Sequence, residues 1–577
     1  MSVTETSSAP AVAARKLEPN WVWLVGLYVL LMIFIKGVPI GGDTSLYVEH
    51  VRDSLQHGWG DSPQVWNFAH LGWRPLGRLL SLIFLPVLLP HFNNNTDMAI
   101  AFLFMLPNMI AALVCGLVMQ RAIYKLTASR WVSLLIGFAF VCLDPLLNYS
   151  RMGSPYCVCL ACITLGIYLA AFYESHSWWP SALAGALGGL AAVFWAPCLL
   201  TFPSILFARW ILGLRGNRKF DFRLAAITCV SGALVVLASY AIGMAAMHIH
   251  DAASLNAWIH DSTPDSRDRT ALRMINGMGR VFYDMADDSV WLKWYTFHDP
   301  FAKVHLWELI RLSVIELGAF YLTLLALAIA LWSTAFGKRI FALTLVAMIP
   351  NLLLAITYES GGSERYECFL PELFLGVGYI LGSNLYSKRV KVLIGVLACL
   401  HIPANLATAN FRNVSYLVHR DPDRLAVMTS LSPKDRLFVL NMNDNLMRLS
   451  YGDPLNPLHL HPLAGILPIV PTLGPQLPVW REIFACAVYN TWHVGGQAWV
   501  TKRVLSDQPL RDWRFVEVDS RFVHWNDIRQ LFAKFNHNRE TGGSDGFFLI
   551  ENSPENNAIL LGVLQGGNEA TGCAPYR

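Results

Sequence analysis

The chain has 577 residues, 54% of them hydrophobic and 15% charged, with a mean hydropathy of +0.41. Soluble globular chains carry about 25% charged residues, so this composition excludes an ordinary soluble enzyme and indicates a polytopic membrane protein. The net charge of +4 is spread over short loops and gives no sign of nucleic-acid binding, while the 20 Trp suit many helix ends at the interfacial belt.

Residues 1–20 are polar and contain Arg15 and Lys16, which place a short N-terminal tail in the cytoplasm. The apolar run that follows is long and lacks a small-residue cleavage site, so no cleavable signal peptide is expected. Apolar runs of about 18 residues or more are candidate spans. The first, at 21–38, leads into an external loop, 39–96, holding an amphipathic helix over 44–57 and an apolar segment, 76–90, that lies in the interface. Spans follow at 97–120, 131–147, 155–173, 180–195 and 197–213, the fourth of these rich in small residues that allow close helix packing. A span at 224–247 precedes the second long external loop, 248–310. Spans at 312–335, 340–357, 368–386 and 392–409 complete a count of about eleven, with every basic loop on the inner side. An odd count leaves 410–577 outside. That tail has ordinary polarity, many prolines between 453 and 478, strand-like runs at 436–441 and 547–551 and an amphipathic helix at 525–535, which together read as a small extracytoplasmic α/β domain. The fold class is therefore a mostly α, polytopic transmembrane helical bundle over 21–409 with that periplasmic domain attached. Its localisation is the bacterial inner membrane.

Most of the 11 Cys lie inside apolar runs (Cys115, Cys142, Cys157, Cys159, Cys162, Cys198, Cys229, Cys399) and read as small core residues. Cys486 and Cys573 would face an oxidising space, where they either pair or remain two thiols. No spacing matches a zinc site, and His248, His250 and His260 fit no standard ligand pattern, so neither metal nor cofactor is expected. The sequons at Asn148 and Asn413 carry weight only in an organism that uses them. The aromatic run 291–297 reads as an interfacial anchor.

The chemistry concentrates in three loops on the outer side. The first follows span 1 as Gly41-Gly42-Asp43-Thr44-Ser45-Leu46-Tyr47 and also holds Glu49, Asp53, His70 and Arg74. A carboxylate at the mouth of a span is a functional-site candidate by default. Asp43 also suits an N-cap for the helix after it, and a catalytic residue can cap. The second loop carries Asp144, Tyr149, Arg151 and Tyr156, and the third Glu364, Arg365 and Tyr366. Arginines on one membrane face can hold phosphate oxygens with paired N–H bonds, and a carboxylate can take a proton from an attacking hydroxyl. Read individually, the same residues are ordinary interfacial anchors and loop ion pairs.

Four features together resemble the GT-C glycosyltransferases, in the branch of the protein O-mannosyltransferases and lipid A aminoarabinose transferases. They are Gly42-Asp43 with Tyr47 after span 1; Asn148-Tyr149-Ser150-Arg151 with Ser154-Pro155-Tyr156 opening span 4; Leu187-Gly188-Gly189-Leu190 with Pro197 beyond; and Glu364-Arg365-Tyr366 followed by Leu370-Pro371. The resemblance covers about 20–410. It implies a polyprenyl-phosphate sugar donor used on the non-cytoplasmic face, with Asp43 as the base, Asp144 as a further acid, and Arg151 and Arg365, with Arg74, as donor contacts. Tyr156, Glu364 and Tyr366 would line the same site. Many members have Asp-Glu in the first loop where this chain has Asp43-Thr44, so metal-independent chemistry is expected. The acceptor (glycan, lipid or protein) is not implied by the tail. The rival readings are a transporter or lipid flippase, for which Glu316 is the main charged residue near a span interior, and a non-catalytic assembly protein for surface polysaccharide.

Overall fold

A computed structural model describes residues 21–35, 43–59, 63–92, 96–173, 177–213, 221–262, 306–357 and 364–410, with scattered positions between 274 and 285. In the tail it describes 431–439 (433 excepted), 465–469, 480–505, 525–541 (537 and 538 excepted) and 546–565. Its contacts form two compact units. One comprises residues 1–91, 99–293 and 307–410, the other 92–98, 294–306 and 411–577.

The first unit is helical. Its elements are α1 (Trp21–Phe34), α2 (Thr44–His57), α3 (Trp73–Leu88), α4 (Thr96–Thr127), α5 (Arg130–Val141), α6 (Asp144–Tyr149), α7 (Tyr156–Ile167), α8 (Trp179–Phe194), α9 (Phe202–Leu212), α10 (Phe222–Ala246) and α11 (Ala252–Ser262). Helices Leu306–Trp332, Ala335–Thr357, Glu364–Glu367, Leu370–Gly382 and Lys388–Asn410 follow. Each expected span carries a helix, and α2 covers the expected 44–57. By length and apolar composition alone, four described helices can cross a membrane: Trp73–Phe92, α4, α10 and Ala335–Thr357. Several others are shorter than expected because the chain breaks them. Asp144-Pro145 starts a new helix after α5, and α7 widens into a π turn at Tyr168–Phe172.

The first of the four, α3 with its 3₁₀ extension to Phe92, is the segment expected to lie in the interface. Chain reach keeps it from running parallel to α4 toward Thr127. Gly77 packs on Phe104, where an added Cβ would stand 2.0 Å from Cζ. From Gly77 to Phe92 the helix rises ~22 Å, and from Thr96 to Phe104 α4 rises ~12 Å. Were α3 directed toward Thr127, its end would lie ~34 Å from Thr96, against a four-residue reach of ~14 Å. Leu79, Leu82, Ile83, Phe84 and Val87 are exposed on α3, whereas Trp73, Arg74, Gly77, Arg78 and Ser81 face the protein. One face of the helix thus packs on the protein and the other stands open.

Small residues do what the sequence suggested in α8. A Cβ on Gly185 would stand 2.0 Å from the Thr228 carbonyl oxygen, and one on Gly189 2.5 Å from that of Gly232, both on α10. The two backbones touch, as close helix pairs in membranes require.

The second unit contains a sheet in the order β2-β1-β3-β5-β4, from β1 (Arg436–Val439), β2 (Gly465–Pro468), β3 (Ala498–Thr501), β4 (Glu540–Thr541) and β5 (Phe547–Ile550). β1 pairs in parallel with β2 and β3, while β5 is antiparallel to β3 and β4. Pro468 is tolerated because β2 is an edge. Helices Trp480–His493, Trp525–Phe532 and Pro554–Gln565 accompany it, and Phe438, Phe484, Phe532 and Phe548 share the core. Cys486 is disulfide-bonded, and the other described cysteines form no disulfide. Cys573, Asn413 and the aromatic run 291–297 lie outside the described residues.

Candidate active site at the loop end of the helical unit

The loop between α6 and α7 ties four helices together. Its Arg151 guanidinium donates from Nη2 to the carbonyls of Met32 and Ile35, the latter at 2.6 Å. These belong to the C-terminal end of α1, whose last carbonyls lack helical partners and carry partial negative charge. Gly153 N donates to Thr44 Oγ1 (2.9 Å) at the start of α2, and Trp73 Nε1 of α3 donates to Gly153 O (2.7 Å). Asn108 Nδ2 of α4 donates to Met152 O (3.0 Å) and Ser154 O (2.6 Å). A side chain at Gly153 would collide with Thr44 Cγ2 at 2.4 Å, so only glycine permits this approach.

Asp43 hangs from that knot. It precedes α2 with φ −73° and ψ −2°, makes no side-chain capping bond to the helix and is exposed. Capping therefore does not account for its carboxylate. Oδ2 accepts from the Tyr47 hydroxyl at 3.4 Å, and that hydroxyl also lies 3.4 Å from His70 Nε2. His70 Nδ1 is 3.2 Å from the Phe194 carbonyl. A carbonyl only accepts, so Nδ1 carries the proton and Nε2 is the acceptor facing Tyr47. One hydroxyl proton thus serves two acceptors.

Arg74 completes the group. Its guanidinium carbon lies 5.1 Å from the Tyr47 ring centre, its Nη1 donates to Gln64 O, and it is 4% exposed. Burial, then the positive charge of Arg74, pushes the His70 pKa from 6.5 to about 3, against the opposing bond to Phe194. The same two causes hold the pKa of buried His50 well below its usual value. Both rings are neutral at neutral pH, so Arg74 is the nearby fixed cation and Asp43 the anion.

The other sequence candidates fall elsewhere. Tyr156 opens α7, buried edge-to-face against Tyr149 (4.7 Å) and Trp195 (5.0 Å). Asp144 heads α6, half-buried, where α6 packs on helix Lys388–Asn410 and Asn405 Nδ2 donates to Cys142 O at 3.0 Å. Glu364 and Arg365 stand in the short helix Glu364–Glu367, with their side chains outside the described residues. The Glu316 side chain is likewise outside them. Tyr366 is buried in a cluster with Val281, Ala347, Ala355 and Phe369. The His248 and His250 rings are 6.4 Å apart, the His260 side chain is not described, and among the described residues no three His, Cys, Asp or Glu could hold a metal. Ser150, the hydroxyl of the first sequon, is fully buried.

Contacts carry from one of these loops to the next. Trp258 Nε1 in the second long loop donates to Trp66 O (2.6 Å), and Trp258 packs with Leu71 and Ile249. Val281, further along that loop, packs with Tyr366 and Phe369 of the third. Two acids escaped the sequence reading. Glu367 is 2% exposed and Glu372, in the first turn of Leu370–Gly382, is fully buried. Glu367 closes the charged stretch Glu364-Arg365-Tyr366, while Glu372 is embedded in apolar sequence where only the Pro371 helix start hinted at a fixed position.

No protein-family profile matches the chain, and no curated protein matches it. Solved structures do. ArnT from Cupriavidus metallidurans in the apo state is similar at 10% identity and a TM-score of 0.46, over 83% of this chain and 92% of that one. The same protein bound to undecaprenyl phosphate is similar at 9% identity and a TM-score of 0.47, over 92% and 98%. The Archaeoglobus fulgidus oligosaccharyltransferase in complex with Zn and sulfate is similar at 10% identity and a TM-score of 0.40, over 84% and 68%. The chain resembles these structures in outline, and no residue's role is carried over from them.

Proposed function

We propose that the chain is a membrane glycosyltransferase that moves a sugar from a polyprenyl-phosphate donor to an acceptor hydroxyl on the extracytoplasmic face. The observation that carries this reading is the uncapped Asp43 carboxylate, bonded to Tyr47 and set beside buried Arg74. In this reading the acceptor hydroxyl oxygen attacks the anomeric carbon and its proton passes to Asp43. The bond between that carbon and the phosphate oxygen breaks, and polyprenyl phosphate leaves with the electron pair. Attack opposite the leaving group inverts the anomeric centre. Arg74 and Arg365 stabilise the departing phosphate electrostatically. Tyr47 keeps the Asp43 carboxylate oriented and, once Asp43 holds the proton, can turn its own hydroxyl proton to His70 Nε2.

Residues 410–577 then form a periplasmic domain of an inner-membrane protein. The transporter reading is favoured by one observation, the fully buried carboxyl of Glu372 in an apolar helix. Donor turnover separates the two. Asp43→Asn, purified and folded, is assayed with polyprenyl-phosphate sugars for release of polyprenyl phosphate. A loss of at least a hundredfold is expected, and near-normal turnover would rule out the base role. Substrate uptake without donor cleavage would favour the transporter.

A further inference from the structure

One turn beyond Arg74 on α3 stands a second guanidinium. Arg78 is 6% exposed, and its carbon lies 4.0 Å from the centre of the Trp59 ring. Stacking on indole covers one face of the guanidinium without using its in-plane N–H groups as donors. Nε and Nη1 are shut off from solvent and bond to none of the described residues. Arg74 is different, since its Nη1 reaches Gln64 O and its charge is set against Asp43 and Tyr47. Arg78 is thus a buried cation with two shielded donors that find no acceptor among the described residues; a neutral sugar hydroxyl could accept from one of them but would leave the charge unbalanced, whereas an anion with several oxygens answers both.

The helix carrying it narrows the choice of anion. Residues 78 and 82 lie on one side of α3, one turn apart. Leu82 is 52% exposed, and Leu79, Ile83 and Val87 continue the apolar surface. A single helix therefore offers an anion-binding group at its protein side and a lipid-facing surface beside it. We infer that Arg78 binds the phosphate of a lipid-linked phosphate ester, with the apolar chain of that ester lying toward the exposed side of α3. This rests on the donor class proposed above and adds to it a residue that fixes the headgroup. Arg74, in this assignment, positions Asp43 and Tyr47 and stabilises the departing charge.

The test is equilibrium binding of the full chain in nanodiscs, so that it does not depend on turnover. Polyprenyl phosphate and inorganic phosphate are the probes, with wild type, Arg78→Gln and Arg78→Lys. We expect Arg78→Gln to weaken polyprenyl-phosphate binding at least tenfold. Arg78→Lys, which keeps the charge and loses the fork, should recover part of that loss. Inorganic phosphate should compete at least a hundredfold more weakly than the lipid. Unchanged lipid binding in a folded Arg78→Gln would overturn the assignment. Equal competition by inorganic phosphate would overturn the lipid half of it. Should Arg78→Gln fail to fold, wild-type affinity in Arg78→Lys would overturn binding through the guanidinium fork. A protein that binds polyprenyl phosphate through Arg78 but transfers no sugar would defeat the proposed reaction and leave this inference standing.

Discussion

Replacing Arg151 by Met separates two roles for one residue. The sequence pattern places Arg151 among donor contacts, whereas the structure has its Nη2 on the Met32 and Ile35 carbonyls. Hydrogen bonds from a charged donor contribute about 1.5–3 kcal/mol each. Two of them, less the relief of no longer burying a guanidinium that is 4% exposed, leave a net loss of about 2–4 kcal/mol. Met keeps the volume of the stem, so a cavity adds little. For a chain of this size that loss lowers Tm by about 2–3 °C. The assay is thermal unfolding in detergent beside polyprenyl-phosphate affinity, corrected for the folded fraction. We expect a clear drop in Tm with affinity within about threefold of wild type. Unchanged Tm with a tenfold or larger loss of affinity would refute the helix-end role and restore Arg151 as a phosphate contact.

Gly185→Ala forces a methyl group against the Thr228 carbonyl, where 2.0 Å of room exists. Overpacking of this kind costs about 1–3 kcal/mol, so Tm should fall, and unchanged Tm would show that α8 and α10 part freely. The His70 pKa of about 3 lies below the unfolded value of 6.5. Both states are neutral above pH 6.5; as pH falls from 6.5 toward 3, only the unfolded state takes the proton and stability is lost. His70→Gln should flatten the fall of Tm between pH 7 and pH 4, leaving a residue of the same sign from His50. A profile identical to wild type would contradict the buried neutral ring.

Local patterns were legible. The Gly-Gly-Asp turn and the apolar spacing over 44–57 gave α2 its bounds, and Asp144-Pro145 marked the break after α5. Strands expected at 436–441 and 547–551 occupy Arg436–Val439 and Phe547–Ile550. β2 and β3, no shorter than the two strands that were read, went unread because one ends in proline inside a proline-rich stretch and the other is bounded by no turn residue but Gly495-Gly496. The site itself is built from contacts that leave no periodic trace. Arg151 reaches carbonyls 116 and 119 positions earlier, and His70 reaches one 124 positions later. Sequence proximity correctly grouped Asp43, Tyr47, His70 and Arg74 in one loop, but it could not tell which arginine was already occupied. Arg78 was hidden for a related reason: in a segment read as apolar, a single arginine looks like an interfacial anchor until Trp59 is seen beneath it.

The central claim is that the Asp43 loop and the Arg365 loop face one compartment, and sidedness labelling tests it most directly. Glu49→Cys and Glu364→Cys, made with Cys229 and Cys399 replaced by Ser, are exposed to a membrane-impermeant maleimide in sealed right-side-out and inverted vesicles. We expect both positions to label in right-side-out vesicles and neither in inverted ones. Labelling of the two from opposite sides would contradict a shared site and, with it, the proposed reaction.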